Sequence, residues 1–596
     1  MKLFKEIILF FFIFFISSCS EKQYFDVIVV GGGAGGTSAA IESARNGVKT
    51  LLLEETTWLG GMLTSAGVSA IDGNFNLPSG FWGEFRDSLV LRYGSIEKLK
   101  TGWVSNVLYE PKVGNAILNN IANNEKENLK ILFFSKIIDI SKSDKNFQIN
   151  SSSGRFVSKV LIDATELGDI LPMLSEEYSI GMDSKTMYNE DIAPDIQNNI
   201  IQDFTYVMIL KDYGYNVKIN EPENYKVEEF FCSTLSKNCP ESDKALWSPN
   251  QMMEYGRLPN NKIMINWPIY GNDYYSNLIE MNDDERDIVI QKAKKKSLRF
   301  LCYIQNELGF NNYSISDDEF PSKDNFPLIP YYRESRRVKG KSKFSLNYIT
   351  KPYSQKDKLY RTGVLVGDYP IDHHHDEYDG ITSLPKLSFY PIQSYTLPIG
   401  SIIPDKTSNL LMGEKSISVS NIVNGTTRLQ PVVMQIGQVA GLIASESIKT
   451  NKSTHEVDIR VIQKKILNKG GYIQPFLDVD KKHPHFKAFQ RIGATGILRG
   501  TGLNVGWSNQ TWFYPEKNVD YDLFIKDISD YFNTQKFFLK SMNLNDIFSW
   551  IQNIKNNPID FLKDWKELGL ENYDTSRDIK RGELAVILDY YLNPFE

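Results

Sequence analysis

Cysteine is scarce in this chain, and the spacing of the few cysteines excludes two kinds of redox site. The 596 residues include Cys19, Cys232, Cys239 and Cys302 and no other cysteine. The chain therefore lacks the closely spaced cysteines that hold an iron–sulfur cluster. It also lacks the C-x-x-C pair of a thiol–disulfide oxidoreductase. Cys232 and Cys239 flank a polar segment, and two interpretations stay open for them: a small disulfide loop formed in an oxidising compartment, or two unpaired surface thiols.

Strongly basic stretches are missing as well. The net charge is −6, and 67 basic and 73 acidic residues are interspersed along the chain. A nucleic-acid surface needs clustered lysine and arginine, so we expect no nucleic-acid partner. The hydrophobic share of 41% and the charged share of 23% are those of an ordinary globular protein, and the length allows several domains.

The N-terminus carries an apolar run that is too short to span a membrane. Ile7 to Ile16 contains ten residues, whereas a spanning helix needs about 20. With Lys2 and Lys5 before it, the run predicts a secretory signal peptide. The sequence Ile16-Ser17-Ser18-Cys19 resembles the processing box of bacterial lipoproteins, which implies an exported protein, on the periplasmic or surface face of the envelope, held by a lipid on Cys19. The alternative is a plain secretory signal cleaved beyond Cys19.

Residues 26–61 contain a dinucleotide-binding pattern. A β-branched run enters a glycine cluster in which Gly31, Gly33 and Gly36 fit G-x-G-x-x-G. Small residues then predict a helix packed closely on a sheet, and a second apolar run ends in Glu54, 18 residues after Gly36. The helix N-terminus supplies unpaired N–H groups for a pyrophosphate, and the acid is placed to bind a ribose. The pattern therefore predicts a dinucleotide site.

Further motifs follow in a fixed order and carry a family resemblance. With these motifs, the chain resembles the FAD-dependent oxidoreductase family that includes heterodisulfide-reductase-A-like flavoproteins: GGGAGG with Glu54, WLGGMLTSAGVS, LIDATELGD, YYRESRRVKG, GDYPIDHHHD, NLLMGEKSISVS and GTTRLQPVVMQIGQVAG. The resemblance implies an α/β fold, with a glutathione-reductase-like FAD domain of Rossmann type and an inserted α+β substrate domain. It implies FAD as the cofactor; the iron–sulfur binding of some relatives is not carried over, because the cysteines are lacking.

The resemblance also implies a set of cofactor-binding residues. Gly60, Gly61 and Met62 are expected along the flavin side, and Asp163 near the adenine half. The segment Gly437 to Gly441 is expected to place a helix N-terminus near the isoalloxazine. One departure stands out: Glu414 replaces a glycine where the backbone is expected to pass the cofactor. The full expected set is Gly31, Gly33, Gly36, Glu54, Gly60, Gly61, Met62, Asp163, Arg428, Gly437, Gln438 and Gly441.

Changes in composition divide the chain. Tyrosine, asparagine and proline become frequent in the segment 172–390. The spacing of the apolar positions from Asp283 to Leu308 predicts a helix. We predict a signal peptide, the first part of the FAD domain, an inserted substrate domain, the second part of the FAD domain and a C-terminal helical region, at residues 1–19, 20–171, 172–390, 391–460 and 461–596. The last region weakly resembles S-layer-homology repeats, which implies cell-wall binding; the alternative is a helical appendage packed on the enzyme.

Histidine is also rare, with six in the chain, and three stand together from His373 to His375. A flavin that accepts a hydride leaves a proton to be removed, and histidine titrates in a suitable range. The family pattern Tyr-Pro-x-Asp-x-His places that base at His374. Adjacent residues of an extended chain point to opposite faces, so we expect no metal site. Arg333 and Arg336 suit a carboxylate substrate or the flavin; salt bridges with nearby acids are the alternative.

These inferences lead to one functional prediction. The protein is expected to be an exported FAD-dependent oxidoreductase that takes a hydride from a small polar molecule, with carbohydrate-derived compounds as candidates, and passes electrons to an unknown acceptor. The membrane is expected to be contacted through the lipid anchor only. The alternative is a cell-envelope glycan-binding lipoprotein with a relic flavin fold.

Overall fold

A mixed sheet organises the fold, and its parallel strands come from both ends of a long stretch of chain. The computed structural model describes residues 22–240, 242, 244–387, 389–534 and 539–596; the predicted signal segment and Cys19 lie outside them. Within the described residues, one sheet has seven strands. Six follow one another in the order Leu129–Leu132, Thr50–Leu53, Gln23–Val30, Gly154–Asp163, Phe147–Ser151 and Ile137–Lys142, and Leu410–Met412 pairs with the end of Gly154–Asp163.

The register of this sheet aligns the carboxyl ends of its parallel strands along one edge. Val30 lies opposite Leu53 on one side and Asp163 on the other, and Met412 also lies opposite Asp163. The strands are apolar on both faces because helices cover them. The segments that follow these four residues therefore meet at the carboxyl edge of the sheet, where ligands of open α/β sheets bind.

Two long helices pack on this sheet and on each other. The glycine-loop helix, Ala34–Arg45, starts directly after Gly33. The small-residue helix, Gln430–Thr450, has Pro431 in its first turn, where a missing N–H costs nothing, and ends before Asn451 in the left-handed region. Helices Gly80–Tyr93 and Pro111–Asn123 complete this layer.

The middle of the chain forms smaller sheets, and the largest of them packs in a second apolar core. A four-stranded antiparallel sheet has the order Arg257–Leu258, Lys262–Ile265, Met208–Asp212 and Tyr313–Ile315. The helix Asp283–Asn306 covers it, starting at a capping box made by Asn282 and Glu285 and close to its predicted bounds. Two-stranded pairs join Asp273–Tyr274 with Phe204–Thr205, Arg337–Val338 with Tyr178–Ser179, and Gly363–Gly367 with Tyr395–Pro398. Short helices lie at Ile170–Met173, Lys185–Tyr188, Pro249–Tyr255, Leu346–Thr350 and Asn421–Thr427.

Cys232 and Cys239 form a disulfide with a Cα–Cα distance of 4.9 Å. This decides between the two interpretations that their spacing left open. Cys302 is a buried free cysteine.

The C-terminal region packs on the rest of the protein. Its helices span Ile459–Asn468, Phe486–Thr495, Tyr521–Phe532, Leu544–Lys555, Phe561–Glu567 and Arg581–Ile587, and a hairpin pairs Thr501–Leu503 with Gln510–Trp512. Phe476, Phe489 and Ile547 belong to the same apolar core as the parallel sheet. A continuous core favours an appendage of the enzyme over a separate wall-binding module. None of the described helices combines the length and the hydrophobicity that crossing a membrane requires.

Candidate active site

The glycine loop after the first strand has the close contacts that its sequence pattern predicts. Gly31 has a φ of +94°, and a Cβ there would lie 2.6 Å from the Ala164 carbonyl carbon. A Cβ on Gly36 would lie 2.8 Å from the Ala164 Cβ. Because any side chain would collide with the neighbouring strand end, the turn needs glycine at both positions.

Carboxylates surround this loop and accept hydrogen bonds from its backbone. The Gly32 N–H donates to Glu54 Oε2 at 2.6 Å, and the Gly35 N–H donates to Glu414 Oε2 at 2.9 Å. Glu166 Oε1 lies beside them, buried and without a hydrogen-bond partner. Backbone N–H groups at a helix N-terminus that bind carboxylates also suit phosphate oxygens, so the donor set fits a dinucleotide pyrophosphate. The backbone N–H groups of the glycine loop, rather than the carboxylates around it, would hold FAD at its pyrophosphate.

Glu414 takes part in a buried charge cluster at the sheet edge. Lys415 forms ion pairs with Glu166 and, at 3.5 Å, with Glu414. Burial raises the pKa of Glu414 to about 7. Glu414, which stands where the family pattern has a glycine, places a carboxyl group at the N-terminus of the glycine-loop helix. The dipole of that helix favours negative charge there.

The predicted flavin-side segment lies against the glycine loop. Gly60 has a φ of +107°, and its N–H donates to the Gly32 carbonyl oxygen at 2.8 Å. Gly61 and Met62 lie in the short 3-10 helix that follows, and a Cβ on Gly61 would be 2.7 Å from the Gly33 Cα. This backbone therefore runs directly beside the expected cofactor loop.

The two predicted acids lie at the carboxyl ends of the two strands that flank Gln23–Val30 in the sheet. Glu54 follows the strand Thr50–Leu53, and its Oε1 accepts from the Thr56 N–H at 2.6 Å. Asp163 ends Gly154–Asp163 and accepts from the Thr165 hydroxyl at 2.7 Å, while its Oδ2 has no partner. Burial raises the pKa of Asp163 to about 7.

The prediction of a helix N-terminus at Gly437 to Gly441 is wrong, because the small-residue helix starts at Gln430. Gly437 and Gly441 lie inside it and pack on the glycine-loop helix: a Cβ would lie 2.5 Å from the Gly35 carbonyl carbon and 2.5 Å from the Ala39 oxygen, respectively. Gln438 accepts from the Phe81 N–H and donates to Glu42 Oε2. These glycines therefore serve helix packing, and sequence alone cannot distinguish that role from cofactor contact.

A buried charged cluster gathers three of the predicted site residues. We call His374, Asp372, Asp273, Arg333 and Arg428 the histidine cluster. Arg428 donates to Asp372 Oδ2 at 3.2 Å, and Arg333 donates to Asp273 Oδ1 at 3.2 Å. All five lie at or near the protein interior, and each carboxylate has an arginine partner, as buried charges require.

His374 lies between the two carboxylates of this cluster. Its Nε2 is 3.0 Å from Asp372 Oδ2, its Nδ1 is 3.8 Å from Asp273 Oδ2, and its ring meets Trp267 edge-on. Burial opposes protonation, but the two carboxylates outweigh it and raise the pKa of His374. The Nε2 contact is of hydrogen-bond length and the Nδ1 contact is longer, and both carboxylates favour the protonated imidazole over the neutral one.

The flanking histidines have other surroundings. Burial lowers the pKa of His373 to about 3, and its Nε2 lies 3.2 Å from the Ile422 carbonyl oxygen. Burial also lowers the pKa of His375, whose ring is parallel to that of His373 at 5.6 Å. Across the part of the chain that the structure describes, no group of three or more His, Cys, Asp or Glu side chains is arranged to hold a metal ion.

Arg336 lies outside the histidine cluster. It donates to the Leu167 carbonyl oxygen at 2.9 Å, to Asp169 at 2.8 Å and to Glu280 at 3.0 Å. These contacts connect the segment that follows the strand Gly154–Asp163 to the middle of the chain. The geometry favours the salt-bridge interpretation for Arg336, which the sequence left open.

A cavity next to the histidine cluster contains an acid that no motif indicated. The cavity has a volume of about 460 Å³, and its wall includes Asp72, Gly73, Lys100 and Tyr369, whereas His374 is not in the wall. The Asp72 N–H donates to Gln430 Oε1 at 3.2 Å, at the first residue of the small-residue helix. Burial raises the pKa of Asp72 to about 7. Only the fold brings Asp72 to this place.

Comparisons with solved structures give weak likenesses. Bacillithiol disulfide reductase Bdr (YpdA) from Staphylococcus aureus is 19% identical over 28% of this chain and 44% of its own, with a TM-score of 0.17. The T. acidophilum thioredoxin reductase is 22% identical over 28% and 41%, with a TM-score of 0.16. The p-nitrophenol 4-monooxygenase PnpA from Pseudomonas putida DLL-E4 is 10% identical over 54% and 70%, with a TM-score of 0.27. The chain thus spans less than half the length of the two reductases, and scores this low carry no functional argument.

The comparison with family models is specific. No curated protein matches the chain. The model of the family described as FAD dependent oxidoreductase matches residues 26–466, which is well over half of the chain and includes the glycine loop, the histidine cluster and Asp72. The fold is accordingly α/β, with a Rossmann-like FAD-binding sheet, additional small sheets and C-terminal helices. The protein belongs to the FAD-dependent oxidoreductase family and is an enzyme whose cofactor is FAD.

Proposed function

We propose that the enzyme oxidises a small polar molecule in the cavity beside Asp72. The observation that carries this proposal is the position of Asp72, which lines a cavity of about 460 Å³ and has a pKa raised to about 7 by burial. Small-molecule sites have volumes of about 300–1,000 Å³ and a few convergent polar groups. A carboxylate with a pKa near the working pH suits a general base.

The reaction separates a hydride from a proton. FAD, when bound, supplies the acceptor for the hydride, which leaves a carbon next to oxygen or nitrogen. Asp72 takes the proton from the adjacent hydroxyl or amine, so that the substrate loses two electrons and two protons overall. A separate electron acceptor then takes the two electrons, as the family activity requires.

The charged groups of the histidine cluster shift the pKa of Asp72. Arg428, His374 and Arg333 lower the pKa of Asp72, in that order, whereas burial and the charge of Asp372 raise it. The cluster offsets part of the cost of a charged carboxylate in the cavity wall. In this proposal Asp72 replaces His374 as the base, and His374 is a positioning residue.

Anaerobic reduction of the purified holoenzyme tests the function. A panel of sugars, polyols and amines is mixed with the protein, and loss of visible flavin absorbance is followed. We expect at least one member to bleach the flavin, at a rate that rises as the pH is raised through about 7, because Asp72 must be ionised. A colourless protein that FAD does not reconstitute would instead support a glycan-binding lipoprotein with a relic fold, and bleaching by none of these classes would reject the substrate proposal.

Two finer assignments are part of this proposal. The order of motifs supports a heterodisulfide-reductase-A-like subgroup with a glutathione-reductase-like FAD domain. The pairing of Leu410–Met412 with Gly154–Asp163 supports a FAD domain made of residues 20–171 and 391–460, with the segment 172–390 inserted and 461–596 appended.

We also propose that the enzyme is exported and held in the bacterial envelope by a lipid on Cys19. The Ser-Ser-Cys box supports the lipid, and the Cys232–Cys239 disulfide supports an oxidising compartment. Labelling cells with a tagged fatty acid is expected to mark the protein, and the Cys19→Ala variant is expected to lose the label. Cys302→Ala is the matched control, because Cys302 is buried within the folded chain. A label that survives Cys19→Ala would contradict the assignment.

A further inference from the structure

The cavity beside Asp72 has a wall that comes from the C-terminal region. Trp507 and Ser508 lie between the two strands of the hairpin Thr501–Leu503 and Gln510–Trp512, and both line the cavity. Their neighbours in the wall, Asp72 and Tyr369, belong to the part of the chain that matches the FAD family. The cavity is therefore incomplete without the C-terminal region.

The hairpin is fixed in this position by polar contacts. The Asn509 N–H donates to the Asp368 carbonyl oxygen at 2.8 Å, and the Ser508 hydroxyl donates to Asp368 Oδ2 at 3.2 Å. The Trp507 ring lies 5.8 Å from Tyr369 and 4.5 Å from Phe389. Trp507 is consequently held in the wall by contacts with two aromatic neighbours.

Two indole rings of this cavity are left open to solvent. Trp507 is 54% exposed and Trp103 is 43% exposed. The Trp103 ring is oriented by its Nε1, which donates to the Gln251 carbonyl oxygen at 2.9 Å, and by an edge-on contact with Trp247. Large apolar surfaces that remain exposed in a concave site mark a place where a ligand binds.

The polar groups of the wall narrow the class of ligand. Asp72, Lys100 and Asn106 supply a carboxylate, an ammonium and an amide among the aromatic rings. A saccharide ring matches this mixture, because one face presents C–H groups that stack on indole while its hydroxyls hydrogen-bond at the rim. A flat aromatic substrate would satisfy the rings but not the polar groups, and a charged amino acid would leave the rings exposed.

We propose that the C-terminal region completes the substrate cavity and that Trp507, with Trp103, binds the ring of a saccharide there. This inference rests on the proposed function, since it names the substrate class for the same cavity. It also gives the appended region a role in substrate selection.

Isothermal titration of the full-length holoenzyme tests the proposal. The probes are neutral monosaccharides and disaccharides (glucose, galactose, mannose, xylose, cellobiose and maltose), with sorbitol as the open-chain polyol. We expect saturable binding of at least one ring sugar and weaker binding of sorbitol. Trp507→Ala is expected to weaken the binding of that sugar roughly tenfold, as the loss of one ring contact would, and Trp507→Phe is expected to restore most of it.

Trp512→Ala is the matched control in the same hairpin. Trp512 ends the second strand, does not line the cavity, and stacks on Tyr514. It is expected to leave saccharide affinity unchanged. Equal affinity in Trp507→Ala and the unmodified protein, or binding of none of the ring sugars, would overturn the inference.

The two proposals fail in different ways. Saccharide binding that depends on Trp507, without any bleaching of the flavin, would keep this inference and reject the oxidation. Bleaching by amines alone, with no saccharide bound, would keep an oxidation at Asp72 and reject the saccharide.

Discussion

The Asp72→Asn variant is expected to reduce its flavin about 10²- to 10⁴-fold more slowly than the unmodified protein, because it lacks the group that takes the substrate proton. FAD is expected to remain bound, since Asp72 lies in the wall of a cavity that no glycine-loop residue lines. The unmodified rate rises as the pH is raised through about 7, where Asp72 loses its proton. In Asp72→Asn this limb of the pH profile is expected to disappear. Stopped-flow measurement of flavin absorbance under anaerobic conditions gives both quantities.

The His374→Gln variant separates the two possible bases. Positive charge on His374 lowers the pKa of Asp72, so the loss of that charge raises the pKa and moves the midpoint of the pH profile to higher pH. The rate at high pH is expected to be largely retained, because His374 does not line the cavity. The opposite pattern, with a large loss in His374→Gln and a small one in Asp72→Asn, would restore His374 as the base and refute the assignment to Asp72.

The glycine loop could be predicted from sequence because its motif is local. Gly31, Gly33, Gly36 and Glu54 lie within one strand–turn–helix–strand unit and can be recognised from their spacing, although the Ala164 contacts that require glycine at two of these positions come from the end of a distant strand. Gly60 and Gly61 were placed by the family motif, and they lie against this loop in the structure. Such short-range patterns can be recognised without knowledge of the tertiary fold.

Asp72 could not be predicted in this way, because its role depends on distant segments. Its backbone is bound by Gln430, and its charge is set by Arg428 and His374, all more than 300 residues away in sequence. The contribution of Trp507 to the same cavity likewise crosses from the C-terminal region. Neither hydrophobic periodicity, nor a motif, nor the composition of the sequence predicts these contacts.

In the small-residue helix, a sequence pattern does not determine what its glycines contact. A glycine in a helix can mark a close approach to a cofactor or to another helix, and at Gly437 the two possibilities have the same sequence. Pro431 gave a local signal for the true helix start, since proline is favoured in the first turn. The structure assigns Gly437 to the contact with Gly35, and this assignment has an energetic consequence.

Gly437→Ala is expected to lower the free energy of unfolding by about 3 kcal/mol, at the upper end of the range for overpacked cores. Helix propensity alone predicts the opposite sign, because alanine favours a helix interior over glycine by about 1 kcal/mol. The added Cβ would collide with the Gly35 carbonyl group, including its carbon at 2.5 Å, and a backbone group cannot rotate away as a side chain can. Denaturant unfolding of the apoprotein measures the change.

The same substitution is expected to weaken FAD binding, because Gly35 donates its N–H at the pyrophosphate site and moves with its helix. Lys449→Ala, on the exposed face of the small-residue helix, is the control and should change stability by no more than about 0.5 kcal/mol. Gly441→Ala provides a second variant if Gly437→Ala does not fold, since its Cβ would meet the Ala39 oxygen at 2.5 Å, farther down the same interface. A stabilised Gly437→Ala protein would show that the two helices separate freely and that these glycines do not serve their packing. Destabilisation without loss of FAD affinity would show instead that the helix contact and the pyrophosphate site are independent.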